Sequence, residues 1–392
     1  SKSGDSMGDP KSQARSRRDF LNRGYYAPLR DAMVELVRER AAGCAASTNG
    51  PMTLLDICCG EGYYTSAMGG VCSPKDIETM LQLLYLNFTQ PRFNKDDVDN
   101  LTKMLLAQLA NAKSNPDFLM QEKVADVTYG HNPRRQMIST EIVNKFDFEQ
   151  LPGIYAKLYP GANGFVFTFV GNIDPETLKP LVEKYIGSIP AARKPINYVD
   201  DKAYPVKGEV TEEFTAPMQQ PKVSVNYHFS GEMPYTLKNK MALTFLTQAL
   251  NSRYLVSIRE EKGGTYGVRV QGSTKYIPRE TYSMTISFDT NEEMADELRE
   301  IVMKEIEEIA ANGPKSEDIE KHREFMLKSW KNSLEQNGAW MNYIQIKYGS
   351  GLNYIADHEQ AIRDLTNADV QALAKKILAD GNLVKVVMRP SK

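Results

Sequence analysis

Apolar residues recurring every three to four positions predict most of the helices of this chain, and the stretches where that period gives way to continuous or alternating apolar runs predict its strands. Ser73-Pro74-Lys75-Asp76 reads as an N-cap with proline in the first turn, followed by Ile77, Met80, Leu81, Leu84 and Phe88 on one helical face. Asn94 caps a second helix with Asp97 in its first turn and Val98, Leu101, Leu105 and Leu109 as its stripe. Residues 147–158 read as a third. The run from Phe165 to Val170 predicts a strand buried on both faces, and Asp174-Pro175 opens a helix through Leu178, Leu181, Val182 and Tyr185 to a stop at Gly187.

Residues 191–220, with Pro195, Pro205, Pro217 and mixed charges, predict an extended connector. Beyond it come a strand over 223–229 and a helix over 237–250 that continues through 253–262 and breaks at Gly263-Gly264. Strands over 266–273 and 282–289 follow, then long helices over 292–311 and 316–336. A helix capped by Thr366 with Asp369, and a strand over 383–388, complete the pattern. Strands, paired helices and a return strand predict an α+β fold, an antiparallel sheet with helices packed on one face. The body before the connector has the helices without the opening strands, so it reads as truncated. The predicted organisation is 1–70, 71–190, a linker at 191–220, and 221–392.

Composition narrows the function classes. With 392 residues, 41% hydrophobic and 25% charged, the chain has enough apolar content for more than one core. A net charge of −2 supplies no global attraction to nucleic acid or anionic lipid, so neither is an expected partner. The longest apolar run falls far short of the roughly 18 residues that cross a bilayer, and no membrane span is expected. The four cysteines, Cys44, Cys58, Cys59 and Cys72, lie in the first fifth of the chain; two are adjacent and none has a neighbouring His, so neither a disulfide framework nor a zinc site is expected of them.

In the first 70 residues, a short strand, Thr53 to Ile57, runs into Cys58-Cys59-Gly60-Glu61-Gly62, the kind of glycine turn that opens a nucleotide-binding βαβ unit. With Phe20-Leu21-Asn22-Arg23-Gly24-Tyr25-Tyr26-Ala27-Pro28-Leu29, residues 1–69 resemble the start of the S-adenosylmethionine-dependent ribosomal-RNA guanine methyltransferases. That resemblance implies that Asp56, Gly60 and Gly62 line an adenosylmethionine loop. Cys58 stands where the family turn has another glycine, and an amphipathic helix follows where a second parallel strand belongs. The methyltransferase-like segment is therefore incomplete.

A second resemblance covers most of the chain. Phe167-Thr168-Phe169-Val170-Gly171-Asn172-Ile173-Asp174-Pro175-Glu176, and Leu255-Val256-Ser257-Ile258-Arg259-Glu260-Glu261-Lys262-Gly263-Gly264-Thr265-Tyr266-Gly267-Val268, are similar to segments of the insulinase/pitrilysin (M16) zinc peptidases over about 71–392. The resemblance is to the second, non-metal half of that family's two-half chamber. It implies two repeated α+β domains, a peptide substrate, and a metal-bearing M16 half or subunit as partner, or a homo-oligomer. Two resemblances to unrelated families predict a composite chain.

Metal-dependent peptide hydrolysis needs a Lewis acid, a water, a general base and an oxyanion donor. The family's zinc motif is H-x-x-E-H, and none of the four histidines here, His131, His228, His322 and His358, sits in one or lies three to five residues from another. No metal site and no cofactor are expected in this chain; zinc is expected on the partner half. What the resemblance does imply is a role for Arg259 and Tyr266, reaching across the chamber to the substrate. A guanidinium donates two parallel hydrogen bonds to a carbonyl or carboxylate, and a phenol donates to an oxyanion. Read from the residues alone, Arg259 pairs with Glu260, Glu261 or a neighbouring helix, and Tyr266 is a half-buried strand residue. Trp330, Trp340, Phe325 and Tyr343 read as core, and the acidic helix 292–308 as a solvated face. Three functions are consistent with the sequence: a non-metal peptidase half, an adenosylmethionine-dependent rRNA methyltransferase, or a non-catalytic M16 scaffold.

Overall fold

The computed structural model describes residues 72–162, 165–191, 200–263, 265 and 267–391. The cap at Ser73 forms as expected, its hydroxyl accepting from Lys75 N–H, and a 3₁₀ turn leads into α1 (Ile77–Thr89). Asn94 caps α2 (Lys95–Ala112), and Asn115 with Pro116 opens α3 (Pro116–Thr128). Two short helices, α4 (Thr140–Asn144) and α5 (Leu151–Leu158), and α6 (Pro175–Tyr185), capped by Asp174, complete this part. Ile77, Leu81, Leu84 and Phe88 of α1 form its core with Ile189.

The aromatic run expected to be a strand packs on that core without joining a sheet. Phe165 meets Phe88 edge-on at 5.1 Å, Phe167 and Phe169 lie on the same cluster, and only Phe165 makes an isolated bridge. Thr168 is buried with its hydroxyl unpartnered. Alternating burial can be encoded locally, but a ladder needs a second strand, and the described residues of this part supply none.

The sheet lies further along. β1 (Glu209–Ala216), β2 (Val223–Glu232), β3 (Val268–Lys275), β4 (Thr281–Thr290) and β5 (Leu383–Pro390) form one five-stranded sheet in the order β1-β5-β2-β4-β3. All neighbours are antiparallel except β1 and β5, which run parallel from Glu209 opposite Leu383 to Ala216 opposite Pro390. β1 falls inside the stretch expected to be a connector. Its sequence, EVTEEFTA, buries one side only, as an edge strand does; Glu209 and Glu213 face solvent, while Glu212 on the covered side pairs with Lys123 of α3.

On one face of the sheet, Val223, Val225, Tyr227 and Phe229 of β2 and Met284, Ile286 and Phe288 of β4 join a core filled by helices. The central one is α7 (Leu237–Tyr254), buried on nearly all sides, with α8 (Ala295–Asn312) and α12 (Asn367–Asp380) beside it. α9 (Ser316–Ser333), α10 (Asn337–Ser350) and α11 (Tyr354–Asp364) pack outside α7. Trp330 and Tyr343 are core residues there, whereas Phe325, expected to be core, is 65% exposed on the outer side of α9.

The opposite face divides in two. Over β1 and β5 it is apolar, and α3 covers it: Met120 and Val127 pack on Val384, Val386, Met388 and Ala216. Over β2, β4 and β3 it is polar. Asn226, Ser287 and Arg269 stand in one rung, His228, Thr285 and Gln271 in the next, and Ser230, Ser283 and Ser273 in the third. The α+β class expected from the sequence is the class observed.

Candidate functional site

The last turn of α7 fixes the first candidate. Tyr254 is fully buried and its hydroxyl donates to the Val302 carbonyl of α8 at 2.9 Å. Arg253 and Glu305 pair at 2.7 Å with their side chains 16% and 18% exposed. From this anchored end the chain widens into one π-helical turn, Leu255–Glu260, in which Glu261 N–H reaches back five residues to Val256 at 3.0 Å. Wide turns of this kind are frequent at functional sites, because they re-aim the side chains of an otherwise regular helix. Ile258 faces the core and is fully buried, while Leu255, Val256 and Arg259 are exposed. The Arg259 side chain makes no hydrogen bond or ion pair with any described residue, so the alternative pairing with Glu260 or Glu261 does not form.

The turn closes through Gly263, whose N–H donates to the Arg259 carbonyl at 3.1 Å and whose φ of +65° is one that glycine adopts without strain. Gly264 and Tyr266 lie outside the described residues. So do Asp56, Gly60 and Gly62 of the adenosylmethionine-like turn, and Cys44, Cys58 and Cys59. The strand that follows Tyr266 is held by a residue that sequence reasoning missed. Asn251 donates from Nδ2 to the Val270 carbonyl at 3.2 Å and accepts from Val270 N–H at 3.0 Å, occupying the backbone groups of β3 that face away from β4. Asn251 therefore ties together the two elements that flank the loop 261–267. Nothing local distinguishes it from any other polar residue on a helix, since its partner lies 19 residues away.

The four histidines occupy four separate places. His131 pairs with Asp126 at 2.7 Å, His228 with the Thr285 hydroxyl at 3.0 Å and His322 with the Ser252 hydroxyl at 3.2 Å; His358 lies between Trp330 and Tyr354. Burial, with Lys275 nearby, pushes the His228 imidazole down to about 4; burial, with Lys240 nearby, pushes His358 to about 4 as well. Among the described residues no three His, Cys, Asp or Glu side chains are grouped as metal donors. Nor is any helix among them long and apolar enough to cross a membrane.

A mixed sheet with a helical layer on one face and a single helix across half of the other define an α+β unit. Residues 145–326, just under half of the chain, match the family model of the peptidase M16 inactive domain. A zinc protease PQQL-like protein of Arabidopsis thaliana is 24% identical over 305 residues, which cover 74% of this chain and 32% of the relative. The crystal structure of the periplasmic protease PqqL from Escherichia coli superposes with a TM-score of 0.72 at 18% identity, over 87% of this chain and 37% of that one. A peptidase M16 inactive domain from Pseudomonas fluorescens superposes with a TM-score of 0.69 at 20% identity, over 86% and 81%. The chain spans about a third of the length of the first curated relatives it matches.

Proposed function

We propose that this chain is the non-metal half of an M16 metallopeptidase: it binds peptide substrate and helps stabilise the oxyanion formed when a zinc-bearing partner half hydrolyses the bond. The observation that carries the reading is Arg259, exposed and without a partner among the described residues, on a turn whose neighbours Tyr254 and Ile258 are fully buried. An arginine with no structural partner, on a rigid base, keeps its donors available without a reorganisation cost when charge develops on a substrate oxygen. Tyr266, seven residues on, is assigned the second donor by its place in the motif. Zinc, when bound by the partner half, supplies the Lewis acid and the activated water. In this reading Asn251 positions the loop and touches no substrate.

The test is reconstitution. The chain alone hydrolyses no unstructured peptide; mixed with a zinc-bearing M16 half it does, and Arg259→Ala lowers kcat of the pair by about 10²-fold, the scale of losing one oxyanion donor. Tyr266→Phe lowers it as well. If both variants leave kcat untouched while the pair is active, the chain is a scaffold half and Arg259 has no part in the chemistry.

A further inference from the structure

The polar half of the sheet's second face is the floor of a cavity that the proposed chemistry leaves unused. Its volume is about 440 Å³, room for two or three residues of a peptide. The serine rung Ser230-Ser283-Ser273 and His228 form the floor. The walls come from four separate segments: Tyr129 and Arg135 beyond α3, residues 203–207 before β1, Pro278 and Arg279 ahead of β4 with Thr281 at its start, and Lys376, Asp380 and Asn382 around the end of α12. Tyr129 and His228 also line a neighbouring recess of about 210 Å³ beneath α3.

The charges around this cavity are unbalanced. Five cations, Arg135, Lys207, Lys275, Arg279 and Lys376, line it against two carboxylates, Glu232 and Asp380. Both carboxylates are engaged. Asp380 accepts from Lys376 at 3.0 Å and from the Tyr282 hydroxyl at 2.7 Å, and Glu232 pairs with Arg279 at 2.8 Å. Two further carboxylates stand beside the walls: Asp201 pairs with Arg135 at 3.3 Å, and Asp200 accepts from the Tyr204 hydroxyl and interacts with Arg279. Lys207 is exposed and has no ion pair among the described residues. The Arg279 guanidinium lies flat, 3.5 Å over the Tyr204 ring, with one nitrogen held by Glu232 and its Nε buried without any acceptor. The Nε is closed off from solvent, but the side chain as a whole is 36% exposed, so an incoming anion meets the exposed part of the guanidinium. Tyr204, Pro205, Val206 and Pro278 add apolar wall beside the cations. Cations, hydroxyls and apolar rings together suit a carboxylate carried on a peptide better than a bare inorganic anion.

We infer that this cavity is a binding site for an acidic peptide segment, its carboxylate received by Arg279 and Lys207 and its backbone and flanking groups by the serine rung and the tyrosine and proline walls. The choice of a peptide as carrier rests on the proposed function; the anion site itself does not. It is a site for capture, remote in kind from the Arg259 turn, and its assay involves no hydrolysis, so either reading can fail while the other stands.

The experiment is a calorimetric titration of the full chain with an acetylated tripeptide of Glu, Ala and Glu bearing a free C-terminus. Its control is the neutral tripeptide with both Glu replaced by Gln and the C-terminus amidated. The acidic tripeptide binds, more weakly as salt rises, and the neutral one does not. Arg279→Gln weakens binding about tenfold or more, the value of a charge-assisted hydrogen bond, and Lys207→Ala weakens it about threefold. Lys207 makes no contact that folding depends on, so its variant carries the test if Arg279→Gln destabilises the chain. Equal binding of the two tripeptides, wild-type affinity in both variants, or displacement by inorganic phosphate at equal concentration overturns the proposal.

Discussion

Replacing Asn251 by Ala removes both hydrogen bonds that hold Val270 and leaves the backbone N–H and C=O of a strand residue only 5% exposed without partners. Each bond contributes about 1 kcal/mol net, and part of the desolvation cost of the two orphaned groups adds to that, so a loss of about 2–3 kcal/mol is expected. For a body of this size about 1 kcal/mol moves Tm by about 2–4 °C, which places the variant about 4–12 °C below wild type. Asn251→Asp keeps the acceptor for Val270 N–H but sets a carboxylate oxygen against the Val270 carbonyl, so it should lose at least half as much. Calorimetric melting measures the global effect, and amide hydrogen exchange at Val270 the local one. A Tm within about 1 °C of wild type together with unchanged Val270 protection would refute the idea that this clamp fixes the loop ahead of β3.

Three further outcomes follow from the packing. His228 is held near 4 when folded and titrates near 6.5 when unfolded, so between those values the unfolded chain binds the extra proton; stability is full above pH 6.5 and falls as pH drops toward 4, by at most about 3 kcal/mol, a slope that His228→Gln should flatten in melts across pH 7.5–4.5. Gly231→Ala places a Cβ 2.3 Å from Asp380 Oδ2 and 2.7 Å from the Tyr282 hydroxyl, breaking the bond between them, and should cost about 2–4 kcal/mol in denaturant titration. Gly263→Ala meets no atom within 4 Å but must hold a φ of +65°, so its cost is conformational alone, about 1–2 kcal/mol.

Helix starts were legible where a cap and a first-turn acid precede a clear apolar stripe: Ser73, Asn94, Asp174 and the capping box of Thr366 with Asp369 all form. Residues 116–128 gave no such reading although they form α3, because that helix has almost no apolar asymmetry; its few core contacts, Met120 and Val127, become visible only against the sheet. The same logic accounts for β1, whose alternation is masked by four charged or hydroxylated outward positions and flanking prolines. The aromatic run at 165–169 misled in the opposite direction, since its pattern is that of a strand and the described residues around it supply no partner for one. At the candidate site, Arg259 was named from the motif, while the wide turn that exposes it, the Asn251 clamp and the polar rungs of the sheet each depend on residues brought together by the fold.

In the proposed function, this chain needs a zinc-bearing half to cleave peptides. Peptidase activity of the purified full chain, measured alone and then with such a half added, tests it most directly. The account predicts no turnover alone and turnover in the mixture; turnover by the chain alone, abolished by chelator, would contradict it.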